Sequence, residues 1–236
     1  MKKIVFLVVL VLLACEKKSI TQDFAAKATF TLGKTEFSTS QSQWQALKPK
    51  QILHWGQFVK TGSASKLTLS FFQKMFITLY AQTEVQLLQG DAQENFNLKL
   101  NNGKLYHEAS PLKGSYQLRT PTITLAVRGT KFFVETDKNT DRVKVTQGFV
   151  AVKRNIEGFE TPETLLKAGD EVEVSVQENQ YIQNQLLKGQ TPKNLKILPL
   201  KAVSSNLKRV PKPKEPEPKT TPKPANVSRS RNRNMY

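Results

Sequence analysis

Cysteine is almost missing from this chain of 236 residues, with Cys15 as the sole example. One thiol cannot close an internal disulfide, so the fold must rest on apolar burial, which 38% hydrophobic composition and this length can supply. Histidine is nearly as scarce. His54 and His107 stand far apart, neither has a second ligand at metal spacing, and His107-Glu108 lacks the following histidine of a zincin. No Gly-x-Ser-x-Gly, no phosphate-binding glycine loop and no second cysteine is present. Glu171 and Glu173 would sit about 7 Å apart on one face of a strand, where they read as a solvated face. We therefore expect no enzyme, no metal and no cofactor. Long helical periods are lacking too. Only residues 41–48 look briefly helical, with Pro49 ending them, which argues against a βαβ fold and its nucleotide crevice. Acidic residues are few, 19 against 36 Lys and Arg, giving a net charge of +17.

The only long apolar run is residues 4–13, and it is half the roughly 20 residues that a spanning helix needs. Met1-Lys2-Lys3 precedes it, and Glu16-Lys17-Lys18 stops it. A basic start, a short apolar core and a small residue before a cut describe an export signal over residues 1–14. Leu12-Leu13-Ala14-Cys15 resembles the lipobox of bacterial lipoproteins. That resemblance implies diacylglycerol in thioether linkage on Cys15 and acylation of its freed amine. Two or more acyl chains give stable anchoring, at about 0.8 kcal/mol per buried methylene. Residues 15–40 then read as a lipidated tether and lead-in.

From about residue 24 to 176 the pattern has period two. Lys66-Leu67-Thr68-Leu69-Ser70-Phe71, Asn97-Leu98-Lys99-Leu100, Arg142-Val143-Lys144-Val145 and Glu171-Val172-Glu173-Val174 all alternate polar and apolar. Turn signals punctuate the runs, among them Gln89-Gly90-Asp91, Asn101-Asn102-Gly103, Gln147-Gly148 and Ala168-Gly169-Asp170. We expect an all-β domain of many short strands, a solenoid-like roll or a sandwich, over residues 41–178. Gly129-Thr130 interrupts strong alternation and suggests a bulge or a close backbone approach.

Five blocks within this region carry a family resemblance. Leu47-Lys48-Pro49-Lys50-Gln51-Ile52-Leu53-His54-Trp55-Gly56-Gln57-Phe58-Val59-Lys60-Thr61-Gly62-Ser63-Ala64-Ser65 is similar to the opening of a FecR domain. Gly103-Lys104-Leu105-Tyr106, then Thr120-Pro121 through Val127-Arg128-Gly129-Thr130-Lys131-Phe132, then Val145-Thr146-Gln147-Gly148-Phe149-Val150-Ala151-Val152, and finally Leu166-Lys167-Ala168-Gly169-Asp170 follow in family order. The opening departs from the family at Lys50-Gln51 and Gly56-Gln57, and Gln73-Lys74-Met75 replaces the usual Asp-Gly hairpin, which predicts a longer or differently closed turn. The resemblance implies a periplasmic signalling module. The best-known members relay a signal from an outer-membrane iron transporter to a cytoplasmic sigma factor, through a spanning helix and a cytoplasmic segment. Neither is read here, so the chain resembles the stand-alone FecR-domain lipoproteins of spirochaetes, without direct sigma-factor regulation.

Residues 179–207 read as a covering or linker segment, in which Leu186-Leu187 and residues 195–200 could form a helix or strand. Residues 208–236 hold half of the twelve prolines, and Glu215 and Glu217 stand against Lys208, Arg209, Lys212, Lys214, Lys219, Lys223, Arg229, Arg231 and Arg233. Such a stretch cannot bury enough surface to offset its ordering entropy, so a disordered, polyproline-leaning basic tail is expected. A pI near 9.9 would suggest nucleic acid in a cytosolic protein. Export argues against that partner and for anionic envelope material: lipopolysaccharide, peptidoglycan or another anionic polymer. The expected function is a non-enzymatic cell-envelope binding or scaffold lipoprotein, membrane-held through Cys15, at the outer membrane or facing the periplasm. The alternative is a signalling module that pairs with a transporter or receptor domain, so an envelope protein is a further candidate partner.

Overall fold

A computed structural model of the chain describes residues 24–91, 94–110, 114–190 and 200. Along these residues the chain shuttles between two sheets, front and back. β1 (Phe24–Leu32) lies in front; β2 (Thr35–Ser38) and β3 (Gln45–Ala46) lie behind; β4 (Ile52–His54) returns to the front and β5 (Phe58–Thr61) to the back. The hairpin of β6 (Lys66–Phe71) and β7 (Met75–Leu79) is in front, and β8 (Glu84–Gly90) is behind. β9 (Phe96–Ala109) serves both sheets. β10 (Tyr116–Arg119) and β11 (Ile123–Val127) form a back hairpin, β12 (Lys131–Thr136) and β13 (Thr140–Gln147) a front one. β14 (Phe149–Arg154) and β15 (Thr164–Lys167) are again behind, and β16 (Glu171–Ser175) closes in front before α1 (Val176–Leu187).

The front sheet runs β4-β1-β6-β7-β9-β12-β13-β16, and the back sheet runs β3-β2-β5-β8-β9-β10-β11-β14-β15. Neighbours are antiparallel except β9 and β10, which pair in parallel from Phe96–Tyr116 to Lys99–Arg119. The expected all-β roll of short strands is thus the fold. Period-two alternation sends one set of side chains between the sheets: in β6, for instance, Leu67, Leu69 and Phe71 are buried while Lys66, Thr68 and Ser70 are not. Full burial of each such side chain contributes about 1.5–3 kcal/mol.

An aromatic column crosses the core. Trp55 tilts over Phe96 at 6.1 Å, Phe96 stacks on Phe71 at 5.6 Å and on Tyr116 at 4.5 Å, Tyr116 stacks on His107 at 5.0 Å, and His107 on Phe132 at 4.5 Å. It takes rings from both sheets, so it ties the two layers together.

Several expectations are corrected. The β domain begins at β1, so the strands of residues 24–38 belong to the roll and not to a lead-in. Residues 41–48 form no helix; Gln41 has a positive φ of 60° and β3 pairs with β2, because a partner strand offers the backbone bonds that an isolated turn of helix would have to make alone. Asn101-Asn102-Gly103 is no turn. It lies inside β9, which bends from one sheet into the other at Gly103, where φ is +95° and an added Cβ would come within 2.5 Å of the Thr83 backbone. Gly129-Thr130 is the crossover from β11 to β12, with the register shift falling just after it, between Lys131 and Phe132. The β6–β7 turn is tight, not lengthened. Phe72 (φ 49°) and Gln73 (φ 57°) are both left-handed, as a type I′ turn requires, and the Lys74 N–H donates to the Phe71 carbonyl at 3.1 Å. Phe72 holds this costly geometry while its ring packs on Phe96 at 5.6 Å.

Residues 179–187 are the body of the helix. Ser175 caps it, its hydroxyl accepting from the Glu178 N–H at 3.0 Å, and Ile182 and Leu186 pack with Ile156 and Phe159 in a satellite cluster. Leu200 is buried in the main core.

Candidate functional site

Cys15 and the nine tail cations from Lys208 to Arg233 lie outside the described residues, as does the proposed tail itself. The two histidines are inside and far from alike. His54 is on the exposed face of edge strand β4. His107 is fully buried in β9 among Tyr116, Phe132 and Thr130, its Nδ1 3.2 Å from the Thr130 carbonyl and its Nε2 without a partner. Burial holds its pKa down to about 3, so the ring is neutral. The Tyr116 hydroxyl beside it is also buried and unpartnered, and burial raises its pKa well above the usual phenol value. Among the described residues no group of His, Cys, Asp and Glu is arranged to hold a metal ion.

Glu171 and Glu173 sit on the outer face of β16 and meet cations of β13. Arg142 Nη2 is 2.6 Å from Glu173 Oε2, and Lys144 Nζ is 3.4 Å from Glu171 Oε2. Further along that face Lys104 pairs with Glu135 at 3.3 Å and Lys131 with Glu108 at 2.6 Å, around the partly exposed rings of Tyr80, Tyr106 and Phe133. Solvent screening leaves these exposed pairs little energetic weight, and the face is self-neutralised.

The polar groups that organise the domain are inside it. Asp141 of β13 points between the sheets and is fully buried. Its Oδ2 accepts from the Thr122 N–H at 2.7 Å, from the Thr122 hydroxyl at 2.5 Å and from the Thr120 hydroxyl. The Thr120-Pro121-Thr122 corner between β10 and β11 is therefore latched from the opposite sheet. Asn155 closes the corner from outside, donating to the Thr120 carbonyl at 2.9 Å and accepting from Thr124 at 2.6 Å. Asn179 of α1 donates to the Thr122 carbonyl at 2.8 Å and accepts from Arg154 at 2.8 Å, while Arg154 also reaches Glu178 at 2.9 Å. Sequence reading missed this network. The signal was phase: Asp141 alternates with Val143 and Val145, and Arg154 with Val150 and Val152, so each shares the buried face.

Over this network, on the outer side of the back sheet, lies a cleft of about 550 Å³ lined by Gln117, Arg119, Thr124, Lys153, Asn155 and the turn of residues 156–161. Beside it, the back sheet ends at β15, which pairs only with β14 among the described residues. Phe149 and Leu165, 59% and 66% exposed, stand on the same outer face of these two strands, with Ala151 opposite Leu165. An edge strand unpaired on one side, with a large apolar side chain on its outer face and a second on the strand next to it, is a template for strand addition. No helix among the described residues is long and apolar enough to cross a membrane.

Residues 57–151 match the family model for FecR protein. No curated protein matches the chain. Two crystal structures of a proposed anti-sigma factor from Parabacteroides distasonis ATCC 8503, at 1.65 and 2.50 Å resolution, are similar to it, each with a TM-score of 0.43 at 14% identity over 50% of this chain and 54% of the other. The chain thus spans about half the length of the solved chains it matches. The matched segment runs from β5 into β14, through the bent strand β9 and the Asp141 latch.

Proposed function

We propose that this chain is a non-enzymatic signalling module of the bacterial cell envelope, membrane-held through lipid on Cys15, which recognises an extended segment of another envelope protein by strand addition at β15. The observation that carries the reading is the open edge of β15, with its Leu165 and the neighbouring Phe149 of β14 exposed, beside a segment that matches the FecR family. Backbone bonds along the edge would supply affinity, and side chains of the incoming strand that share the outer face would meet the two apolar residues. The FecR domain supports signalling as the role. The test is co-purification of the tagged full chain from its own envelope extract, beside Leu165→Lys. One stoichiometric protein partner that is lost in the variant is the expected result. Partners equally retained by Leu165→Lys would overturn the edge assignment.

The excess of nine Lys or Arg over Glu215 and Glu217 in residues 208–236 favours a second, compatible role as a scaffold that touches anionic polymer such as lipopolysaccharide or peptidoglycan. Removing 208–236 should abolish salt-sensitive binding to lipopolysaccharide and peptidoglycan. Unchanged binding would end that role for the tail.

A further inference from the structure

The cleft on the back sheet has a floor with defined chemistry. Arg119, Thr124 and Lys153 are cross-strand neighbours on β10, β11 and β14, in one row across the sheet. Directly opposed side chains are about 5 Å apart at Cβ, so Arg119 and Lys153 stand about 10 Å apart at Cβ, close enough for both heads to converge on one group above Thr124. Arg119 has no carboxylate or other protein acceptor among the described residues. Lys153 has only Glu160 at 3.5 Å, whose side chain is 92% exposed, and a pair of that kind contributes too little to block an incoming anion. Arg119 differs in this from the front-sheet cations, since Lys104, Lys131, Arg142 and Lys144 each meet a glutamate there.

The floor is held still from beneath. Asn155 fixes Thr124 and the Thr120 carbonyl, and the hydroxyl of Thr161 donates to the Arg154 carbonyl at 2.8 Å, which pins the end of the 156–161 turn that forms the cleft's wall. The Ile156–Phe159 bridge shapes that turn. Phe159 packs against Ile156, Ile182 and Leu186 but is only partly buried, and part of its ring stays on the cleft wall. Beside this ring and Pro121, the body of a ligand would meet amide and carboxylate groups: Gln117, Gln183 and Glu157. The two glutamines make no side-chain hydrogen bond among the described residues. Amides that both donate and accept, with a carboxylate that accepts, match a hydroxyl-rich body, and the volume lies within the roughly 300–1,000 Å³ of small-ligand clefts.

We propose that this cleft binds a small anionic saccharide, its carboxylate or phosphate held between Arg119 and Lys153 and its hydroxyls by Gln117, Gln183 and Glu157. The site lies on the outer face of the sheet and is independent of strand addition at β15. It is tested by titrating the full chain with glucuronate, glucose 6-phosphate, glucose and inorganic phosphate at physiological ionic strength, read by calorimetry and by amide NMR shifts at Thr124 and Asn155. Saturable binding of at least one of the two anionic sugars is expected. Glucose and inorganic phosphate should bind about tenfold more weakly or worse, and Arg119→Gln should weaken sugar binding by about tenfold or more, the worth of a hydrogen bond to a charged group. Arg142→Gln, on the opposite sheet, should change nothing. No saturable binding of either anionic sugar, or binding that survives Arg119→Gln in a folded variant, would overturn the site. Inorganic phosphate binding as tightly as the sugars would overturn the saccharide assignment.

Discussion

Lowering the pH from 7.5 to 4.5 should destabilise this domain chiefly through His107. In the fold its pKa is down to about 3, whereas an unfolded chain titrates near the ordinary 6.5. A group whose folded pKa is depressed leaves stability intact above the unfolded value. As pH falls below 6.5, the unfolded chain takes up a proton that the folded one refuses, and stability drops by about 1.4 kcal/mol per pH unit until the folded pKa is reached. Between pH 7.5 and 4.5 the loss assigned to His107 is therefore about 3 kcal/mol, rising to roughly 4 kcal/mol by pH 3. The cause is desolvation in a stack between Tyr116 and Phe132, only partly offset by the Thr130 carbonyl. Denaturant unfolding of the wild type and His107→Phe, at both pH values, isolates the effect. Phenylalanine keeps a planar ring in the column and cannot titrate. The wild type should lose about 2–3 kcal/mol more than the variant between the two pH values. Parallel losses would refute the assignment of the acid sensitivity to His107.

Two further perturbations probe the frame. Asp141→Ala removes the acceptor for the Thr122 N–H and for the Thr120 and Thr122 hydroxyls; with these left buried and unpaired it should cost about 3 kcal/mol or more, seen as a lower denaturant midpoint with an unchanged m-value. Gln73→Gly relieves a left-handed position at the β6–β7 turn without disturbing Phe72 on Phe96. It should raise stability by about 1 kcal/mol in the same assay, and a loss would mean that the Gln73 side chain has a role in the fold.

What the sequence revealed and what it hid follow one physical division. Strand identity was legible wherever polar and apolar residues alternate, because one face is wet and the other dry: Lys66 to Phe71, Arg142 to Val145 and Glu171 to Val174 are all strands. Two-sheet order was not legible, since pairing is decided by packing at long range. Asn101-Asn102-Gly103 carries the residues of a turn, but in the fold only Gly103 uses its freedom, to bend one strand across both sheets. Phe72-Gln73 hid a tight turn because neither residue favours it; packing of Phe72 on Phe96 overrides local preference. The helix start has a sequence signal in Ser175 and Glu178, three residues apart as in a capping box. Asp141, His107 and Arg154 are ordinary letters in a list of charges and become informative only when their phase is compared with the buried face. The cleft joins β10, β11, β14 and a turn, and no spacing within one strand announces it.

The proposed recognition at β15 is tested most directly inside the cell. A photo-reactive amino acid placed at Leu165 of the full chain, followed by irradiation and mass spectrometry of the products, should give one dominant envelope protein joined through an extended segment. The same probe at Lys104, on the outer face of the front sheet, should give none of that product. A diffuse set of products at Leu165, or the same product from both positions, would contradict strand addition at this edge.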